Sequence, residues 1–355
     1  MHIPDGYLSP STCAVLYAGA APFWYVATKR VSALLHTRLV PLLSLFAAFS
    51  FVLMMFNLPL PGGTTGHAAG IGIASVVLGP WASILAISMA LIIQAVFFGD
   101  GGITAIGANC FNMAAVGSIV AYGVYRAVSA GAPLDSPRRV MAAGLGGYLG
   151  INMAALLTAI EFGVQPMLFH DASGTPLYAP YPLKIAVPAM MIGHITVAGL
   201  AEFFVTAGLV AYLQRTDLSL LKLTAPGAAA AEIGARGAVQ STRGLWIILG
   251  LLMILTPLGI LAAGTAWGEW GPADFREESA RAGIAAASGG VAPPKQAPQG
   301  LSRLADFWTA PIPDYAPPFF KSPQLGYALS AFFGVGLTIL AFQGIAFVAG
   351  RARKS

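Results

Sequence analysis

Residues 68–98 of the chain read AAGIGIASVVLGPWASILAISMALIIQAVFF, a stretch without a single charged side chain. As one α-helix it would be about 46 Å long, which exceeds the hydrocarbon core of a bilayer, about 30 Å thick. Gly79-Pro80 divides it, because proline lacks an N–H and disfavours helical geometry in the residue before it. We therefore predict a short helix over Ala68–Leu78 and a full spanning helix over Trp81–Phe98.

The whole chain has the composition of a membrane protein. Of its 355 residues, 57% are hydrophobic and 9% are charged, and the mean hydropathy is +0.74. An ordinary soluble protein carries charge on roughly a quarter of its residues, so this surface faces membrane lipid. The basic residues are scattered over short loops, which argues against a nucleic-acid partner. Two cysteines, Cys13 and Cys110, are too few for a disulfide scaffold or a cysteine metal cluster.

Seven further stretches are apolar and long enough to span a bilayer. They are Ser11–Ala27, Leu39–Leu58, Ile103–Tyr125, Val140–Phe162, Ile185–Leu213, Leu245–Thr265 and Leu325–Ala349. Together with the two helices of residues 68–98, they predict an all-α integral membrane protein. Residues 1–215 form a seven-helix bundle, and two additional transmembrane helices follow.

The domain organisation and orientation follow from the same pattern. We predict a cytoplasmic linker over residues 216–244 and a two-helix segment over 245–355, whose helices enclose an external loop at about 266–323. Lysine and arginine accumulate on the cytoplasmic side of a membrane. An external N-terminus and a cytoplasmic C-terminus satisfy this rule, in a plasma (inner) membrane of the bacterial type.

The N-terminus, MHIPDGYLSP, is unusual. It has no basic region of the kind that opens a secretory signal, and the bulky His2 predicts that Met1 is retained. The Met1 amine and the His2 backbone nitrogen close a five-membered ring on a metal ion, and that nitrogen and the imidazole Nδ1 close a six-membered ring. One further nitrogen in the same plane completes a square, which suits Ni²⁺ or Cu²⁺, and Co²⁺ with less preference.

His67 is the candidate for this fourth nitrogen. It lies in LPLPGGTTGHAAG, residues 58–70, and such a glycine- and proline-rich backbone enters a membrane where it lines a protein cavity. The alternative is that His2 is a polar residue at a frayed end and that His67 is solvated, which explains the re-entrant turn less well.

Several motifs resemble the CbiM/NikM family, the substrate-capturing S components of energy-coupling factor (ECF) transporters for nickel and cobalt. The motifs are MHIPDGYLSP, PLPGGTTGH, GPWASI, QAVFFGDGGITAIGANCFNM and GHITVAGLAEFFVTA. They cover residues 1–215 in the family's order. The elements LTPLGILAAGTAWGEWG and PIPDY of the later segment resemble a NikN-like accessory component, here fused to the S component.

The resemblance implies a function and a set of partners. The Met1 amine, the His2 backbone nitrogen and imidazole, and His67 would bind Ni²⁺ or Co²⁺ as the transported ion, with no separate cofactor. A transmembrane T component and two cytoplasmic ABC ATPase subunits would be the partners. The chain would then be a transport subunit and not an enzyme.

Other polar residues near the predicted site are candidates to hydrogen-bond the ring N–H of His2 or His67 and so fix the orientation of that ring. They are Thr64, Thr65, Asp100, Asn109 and Asn112. The alternative for Asp100 and the two asparagines is a capping role at the outer end of the fifth helix. For His194 and Glu202, which lie within the seventh predicted helix, we expect a helix-packing or coupling role and not metal ligation.

Two other functions fit the composition. An ion-gradient-driven secondary transporter calls for paired intramembrane carboxylates or an inverted repeat; Glu161 and Glu202 are the candidates, and the sequence shows no repeat. A membrane metalloenzyme needs an open coordination position and a general base nearby, for which a four-nitrogen square leaves little room. The square geometry and the fused accessory segment favour nickel over cobalt.

Overall fold

The computed structural model of the chain confirms the all-α membrane architecture. It describes residues 1–32, 39–225, 242–262, 264–317 and 319–352. We call the predicted seven-helix bundle, residues 1–215, the first unit. Its helices are α1 (Pro10–Ser32), α2 (Leu39–Met54), α3 (Ile71–Leu78), α4 (Pro80–Ile93), α5 (Ile106–Asn109), α6 (Ser118–Val128), α7 (Pro137–Leu168), α8 (Leu183–Gly193) and α9 (Gly199–Thr216). We call the later part of the chain, predicted over residues 245–355, the accessory segment. Its helices are α10 (Arg243–Leu255), α11 (Glu278–Ala287), α12 (Gln299–Leu304) and α13 (Pro323–Ala352).

Shorter helical turns extend or connect these helices. The π-helical turns are Gln94–Phe98 after α4, Cys110–Gly117 between α5 and α6, and His194–Ala198 between α8 and α9. The 3₁₀ turns are Leu218–Leu221, Thr256–Leu261 and Pro313–Tyr315. Five helical stretches in the described residues are long and apolar enough to cross a membrane: Pro80–Phe98, Pro137–Leu168, Leu183–Thr216, Arg243–Leu261 and Pro323–Val348. The shorter Val40–Met54 is also apolar.

The predicted break at Gly79-Pro80 is confirmed. Gly79 has a φ of 78°, in the region that favours glycine, and Pro80 begins α4. The Gly79 N–H donates to the carbonyl oxygen of Ser75 at 3.0 Å, which closes the end of α3. The start of α3 differs from the prediction: the helix begins at Ile71 and not at Ala68, after Gly70 with a φ of 70°.

Helix α3 lies at the centre of the bundle. All eight of its residues are buried, and it packs against α2, α4, α6, α7 and α9. Around it the helices approach closely at small residues: a Cβ on Gly150 of α7 would lie 2.7 Å from the carbonyl oxygen of Gly117. Such spacing is typical of membrane bundles, in which small residues bring helix backbones together.

A short hairpin precedes α3. Strands β1 (Leu58–Leu60) and β2 (Thr64–Gly66) pair antiparallel, with Leu58 opposite Gly66. Thr65 also forms a parallel bridge with Ala266 of the accessory segment. His67 follows β2 directly, so the hairpin and the accessory segment together determine where His67 lies.

The accessory segment covers one side and one end of the bundle. Its long helices α10 and α13 pack against α2, and α13 also packs against α4. The chain between them carries α11 and α12 and lies against the N-terminus: a Cβ on Gly6 would lie 2.6 Å from the Cα of Leu301. The central residues of the predicted linker, 226–241, lie outside the described residues.

Candidate metal site

The N-terminus is buried in the protein. Met1 is 2% exposed, His2 1% and Ile3 0%. The backbone N–H of Ile3 donates to Oδ1 of Asn109 at 2.8 Å, and the Ile3 carbonyl accepts from Nδ2 of Asn109 at 3.1 Å and from the N–H of Gly102 at 2.8 Å. These three bonds hold the first residues against the chain segment that opens α5.

A turn at Asp5-Gly6 completes this anchor. Gly6 has a φ of 84°, a conformation that glycine adopts at no steric cost. The Asp5 carboxylate accepts from the backbone N–H groups of Ile103 at 3.1 Å and Thr104 at 2.8 Å, and from the Thr104 hydroxyl. The turn therefore folds the tip of the chain back into the bundle.

The imidazole rings of His2 and His67 lie side by side. Their centroids are 5.0 Å apart, and the ring planes are inclined by 55°. Two imidazoles at adjacent corners of one square, each with a metal–nitrogen bond of about 2.0 Å, would have centroids roughly 4.5 Å apart. The two rings are therefore close enough to bind one ion after a small adjustment.

His67 presents a free lone pair. Its Nδ1 lies 3.1 Å from the carbonyl oxygen of Ala68, and because a carbonyl only accepts, Nδ1 carries the proton and Nε2 carries the lone pair. Burial of the ring lowers the pKa of His67 well below its usual value, and the charges of His2 and the N-terminal amine lower that pKa further. The ring is therefore neutral, the state in which imidazole binds metals.

Asp100 holds the His2 ring. Its Oδ1 contacts Nδ1 of His2, while Nε2 of His2 is buried without a hydrogen-bond partner in the described part of the chain. Oδ2 of Asp100 accepts from the Tyr315 hydroxyl at 2.5 Å and from Nε2 of Gln94 at 3.2 Å. Burial alone would raise the pKa of Asp100, but the charges and hydrogen bonds of these neighbours, above all His2, hold that pKa below its ordinary value.

The accessory segment supplies two of the contacts around these groups. The Met1 amine donates to Oε1 of Glu269 at 3.0 Å, and the Glu269 side chain is 24% exposed. Tyr315, which reaches Asp100, stacks on Phe98 with ring centroids 4.7 Å apart. Glu269 lies in the motif GEWG and Tyr315 in PIPDY, but neither motif identifies these residues as part of the site.

A cavity of about 370 Å³ opens beside these groups. His2, His67, Asp100, Glu269 and Tyr315 line it. In the described residues, no group of three or more His, Cys, Asp or Glu side chains could hold a metal ion. A four-nitrogen site here therefore depends on the terminal amine and the His2 backbone nitrogen.

The other predicted site residues divide into two groups. Thr65 lines the cavity, and its neighbour in β2, Thr64, is buried. Asn109 binds the Ile3 backbone and not a ring. Asn112 lies in the bundle, where its Nδ2 donates to Oγ1 of Thr158 at 3.2 Å and to Oε2 of Glu161 at 2.7 Å.

His194, which we did not expect to bind metal, is also hydrogen-bonded within the helical bundle. Its Nδ1 lies 2.8 Å from the carbonyl oxygen of Met190, one turn earlier in the same continuous helix. The histidine side chains that the structure brings together are therefore His2 and His67.

Comparisons with known proteins agree with this architecture. The family model described as the cobalt uptake substrate-specific transmembrane region matches residues 2–220, and the PDGLE domain matches residues 243–351. The fused nickel transport protein NikMN of Rhodobacter capsulatus is 60% identical over 350 residues, 99% of this chain and 97% of that protein. The probable fused nickel transport protein LarMN of Lactiplantibacillus plantarum is 41% identical over 348 residues, 97% of each chain.

A solved structure also matches the first unit. The crystal structure described as that of a truncated transition metal transporter has a TM-score of 0.57 and 52% sequence identity, and the match covers 61% of this chain and 99% of that one. The family that the motifs predicted is confirmed: the chain belongs to the family of cobalt uptake substrate-specific transmembrane regions, with a PDGLE domain fused after it.

Proposed function

We propose that this protein captures Ni²⁺, or Co²⁺, as the S component of an ATP-driven ECF importer. The observation that carries the proposal is that Met1, His2 and His67 are all buried and that the two imidazole rings lie side by side, with their centroids 5.0 Å apart. The relatives support the choice of ion, since the Rhodobacter capsulatus protein is named as a nickel transport protein and a 32% identical protein of Geobacter sulfurreducens as a cobalt transport protein.

The proposed ligands are the Met1 amine, the His2 backbone nitrogen and Nδ1, and Nε2 of His67, in a square plane. If these nitrogens bind the ion, two of their contacts in the described structure must change. For the ion to bind, the amine leaves Glu269, and Nδ1 of His2 leaves Asp100 while the ring proton moves to Nε2. His67 needs no such change, because its Nδ1 already carries the proton.

The charges of the site fit a divalent ion. The deprotonated His2 amide carries one negative charge, so the ion and its four nitrogens carry a net single positive charge. The neighbouring Asp100 carboxylate neutralises it, which matters because an uncompensated charge is costly in a buried site. Square nitrogen ligation favours Ni²⁺ over Co²⁺.

The energy for transport comes from partner subunits in this proposal. The sequence contains no Walker-type phosphate loop, so two cytoplasmic ABC ATPases and a transmembrane T component drive the cycle, and this chain is not itself an enzyme. The N-terminus and the site face outward, the C-terminus is cytoplasmic, and ATP hydrolysis reorients the subunit to release the ion inward.

An ion-gradient-driven transporter would call for paired carboxylates within the membrane, and the described bundle does not pair Glu161 with Glu202. Glu161 binds Asn112, whereas Glu202 binds the backbone before and within α3. Metal uptake into vesicles by this chain without ATPase partners would favour that alternative over the ECF mechanism.

Calorimetric titration of the purified protein with Ni²⁺ tests the site. An extension of two residues before Met1 removes the terminal amine from the chelate, and His67→Ala removes the fourth nitrogen. We expect each change to weaken binding by more than about 100-fold, beyond the loss seen when residues around a metal site are changed. His170→Ala is the matched control, because His170 is exposed. Unchanged nickel binding in the extended protein, or in His67→Ala, would refute the ligand set.

A further inference from the structure

Glu202 is a fully buried carboxylate that binds backbone and not another side-chain charge. Its Oε2 accepts from the N–H groups of Ala69 at 2.8 Å and Gly70 at 2.9 Å, and its Oε1 accepts from the N–H of Gly72 at 2.8 Å. The exposed fraction of Glu202 is 0%. Three backbone donors from one short segment therefore converge on this carboxylate from α9.

These donors belong to the N-terminal end of α3. The first N–H groups of a helix have no intrahelical partner, and Gly70, at the cap position, has no side chain to satisfy them. Glu202 does so from a neighbouring helix, with its negative charge at the positive end of the helix dipole. The carboxylate thus replaces the local cap that the sequence lacks.

The surrounding glycines keep this arrangement tight. A Cβ on Gly72 would lie 2.6 Å from the Cα of Gly147 in α7, and a Cβ on Gly147 would lie 3.2 Å from Cγ of Glu202. Because α3 and α7 meet at two glycines and the side chains of Glu202 and Thr206 from α9 fill the space beside them, the carboxylate has little freedom to move.

One peptide unit connects Glu202 to His67. The peptide between Ala68 and Ala69 donates its N–H to Glu202 and accepts Nδ1–H of His67 with its carbonyl oxygen, at 3.1 Å. A peptide unit is planar, so the position of its N–H also determines the direction of its C=O. Ser50 donates to the next carbonyl, that of Ala69, at 2.5 Å.

We propose that Glu202 is the positioning residue for the metal-binding imidazole of His67. By binding the Ala68–Ala69 peptide it directs the Ala68 carbonyl at Nδ1 of His67, keeps the proton on Nδ1, and leaves Nε2 directed at the site. The inference rests on the proposed function in one respect, namely that His67 is a ligand.

Glu202→Gln tests the inference with little change in shape. The glutamine amide has one acceptor oxygen where the carboxylate has two. Its NH₂ group therefore faces a backbone N–H and cannot accept a hydrogen bond from it. We expect nickel binding about 10- to 100-fold weaker, the usual range when a partner that orients a metal ligand is changed. Glu161→Gln, which changes a carboxylate of α7 that binds Asn112, is the matched control and should bind nickel like the unmodified protein.

A double-mutant cycle separates positioning from a general structural effect. The His67→Ala protein keeps three nitrogen donors and a measurable, weaker affinity. If Glu202 acts through His67, adding Glu202→Gln to His67→Ala causes no further loss; additive losses overturn the inference. If Glu202→Gln does not yield a monodisperse protein, Glu202→Asp enters the same cycle, because it keeps the charge but shortens the reach.

The ¹⁵N spectrum of histidine-labelled protein without metal gives a second readout. We expect the His67 signals, assigned by their loss in His67→Ala, to report the Nδ1–H tautomer in the unmodified protein and a mixture of tautomers in Glu202→Gln. An unchanged tautomer in Glu202→Gln overturns the inference. Failure of the proposed function is distinguishable, because His67→Ala alone would then bind nickel at full strength.

Discussion

The two units of this protein contribute opposite chemistry to one cavity. The first unit brings the proposed nitrogen donors, namely the Met1 amine and the rings of His2 and His67. The accessory segment brings oxygens that hold these groups from the other side: Glu269 binds the amine, and Tyr315 binds Asp100. We therefore propose a division of labour, in which residues 1–215 bind the ion and the accessory segment controls the state of the empty site.

The largest expected effect concerns the nitrogen donors of the first unit, and it is the dependence of nickel affinity on pH. The amine and the His2 amide must each lose a proton to bind metal, whereas the pKa of His67, lowered by burial, keeps that ring neutral and without a proton to release. Two released protons make the affinity fall about 100-fold for each unit by which the pH is lowered. Titrations in buffers of different ionisation enthalpy measure the number of protons directly. A count near zero would contradict binding through the amine and the amide.

Asp100 belongs to the first unit but contacts both His2 of that unit and Tyr315 of the accessory segment. Its substitution therefore tests how the first unit and the accessory segment are connected. Asp100→Asn removes the charge that compensates the ion, and we expect nickel binding about 10- to 100-fold weaker. Asp171→Asn is the control, because Asp171 lies in an exposed turn in which it binds Ser173 and Thr175. Tighter binding in Asp100→Asn would show that the carboxylate competes with the metal for Nδ1 of His2.

Tyr315→Phe tests the accessory side with a smaller change. It removes one hydrogen bond to a charged oxygen, a contact worth about 1.5 kcal/mol, and leaves Nε2 of Gln94 as a donor to Oδ2 of Asp100. We expect nickel binding up to about tenfold weaker, consistent with that energy. Tyr25→Phe, on the exposed surface of α1, is the control. An effect larger than that of Asp100→Asn would mean that Tyr315 acts on more than this carboxylate.

The sequence predicted what depends on local signals. The break at Gly79-Pro80 and the long apolar helices follow from residues that are neighbours in the chain. The start of α3 could not be predicted from neighbouring residues. It depends on Glu202, 130 residues or more away in the chain, which binds the N–H groups of Ala69, Gly70 and Gly72. We had expected Glu202 to serve packing or coupling, and only the folded chain shows which backbone it binds.

The candidate site divides in the same way. Met1, His2 and His67 are predictable from the sequence because their metal-binding chemistry is recognisable without a fold. Glu269 lies 268 residues from the amine that it binds, and Tyr315 lies 215 residues from Asp100. Nothing local distinguishes these two residues from other polar side chains of the accessory segment, since their partners are defined by how that segment folds against residues 1–215.

Glu269→Gln should give the smallest effect, with the opposite sign. The ion pair between Met1 and Glu269 exists before metal binds and must break for the amine to bind metal, so its removal should make nickel binding slightly tighter. The carboxylate is partly exposed, and solvent and salt limit such pairs to about a fivefold effect. The gain should shrink at high salt.

Glu277→Gln is the matched control, because Glu277 lies on the same segment and binds Ser279 at the surface. Binding more than about tenfold weaker in Glu269→Gln, beyond what a partly exposed pair supplies, would place Glu269 in the loaded site. The division of labour would then be wrong, since the accessory segment would stabilise the bound ion as well as the empty site.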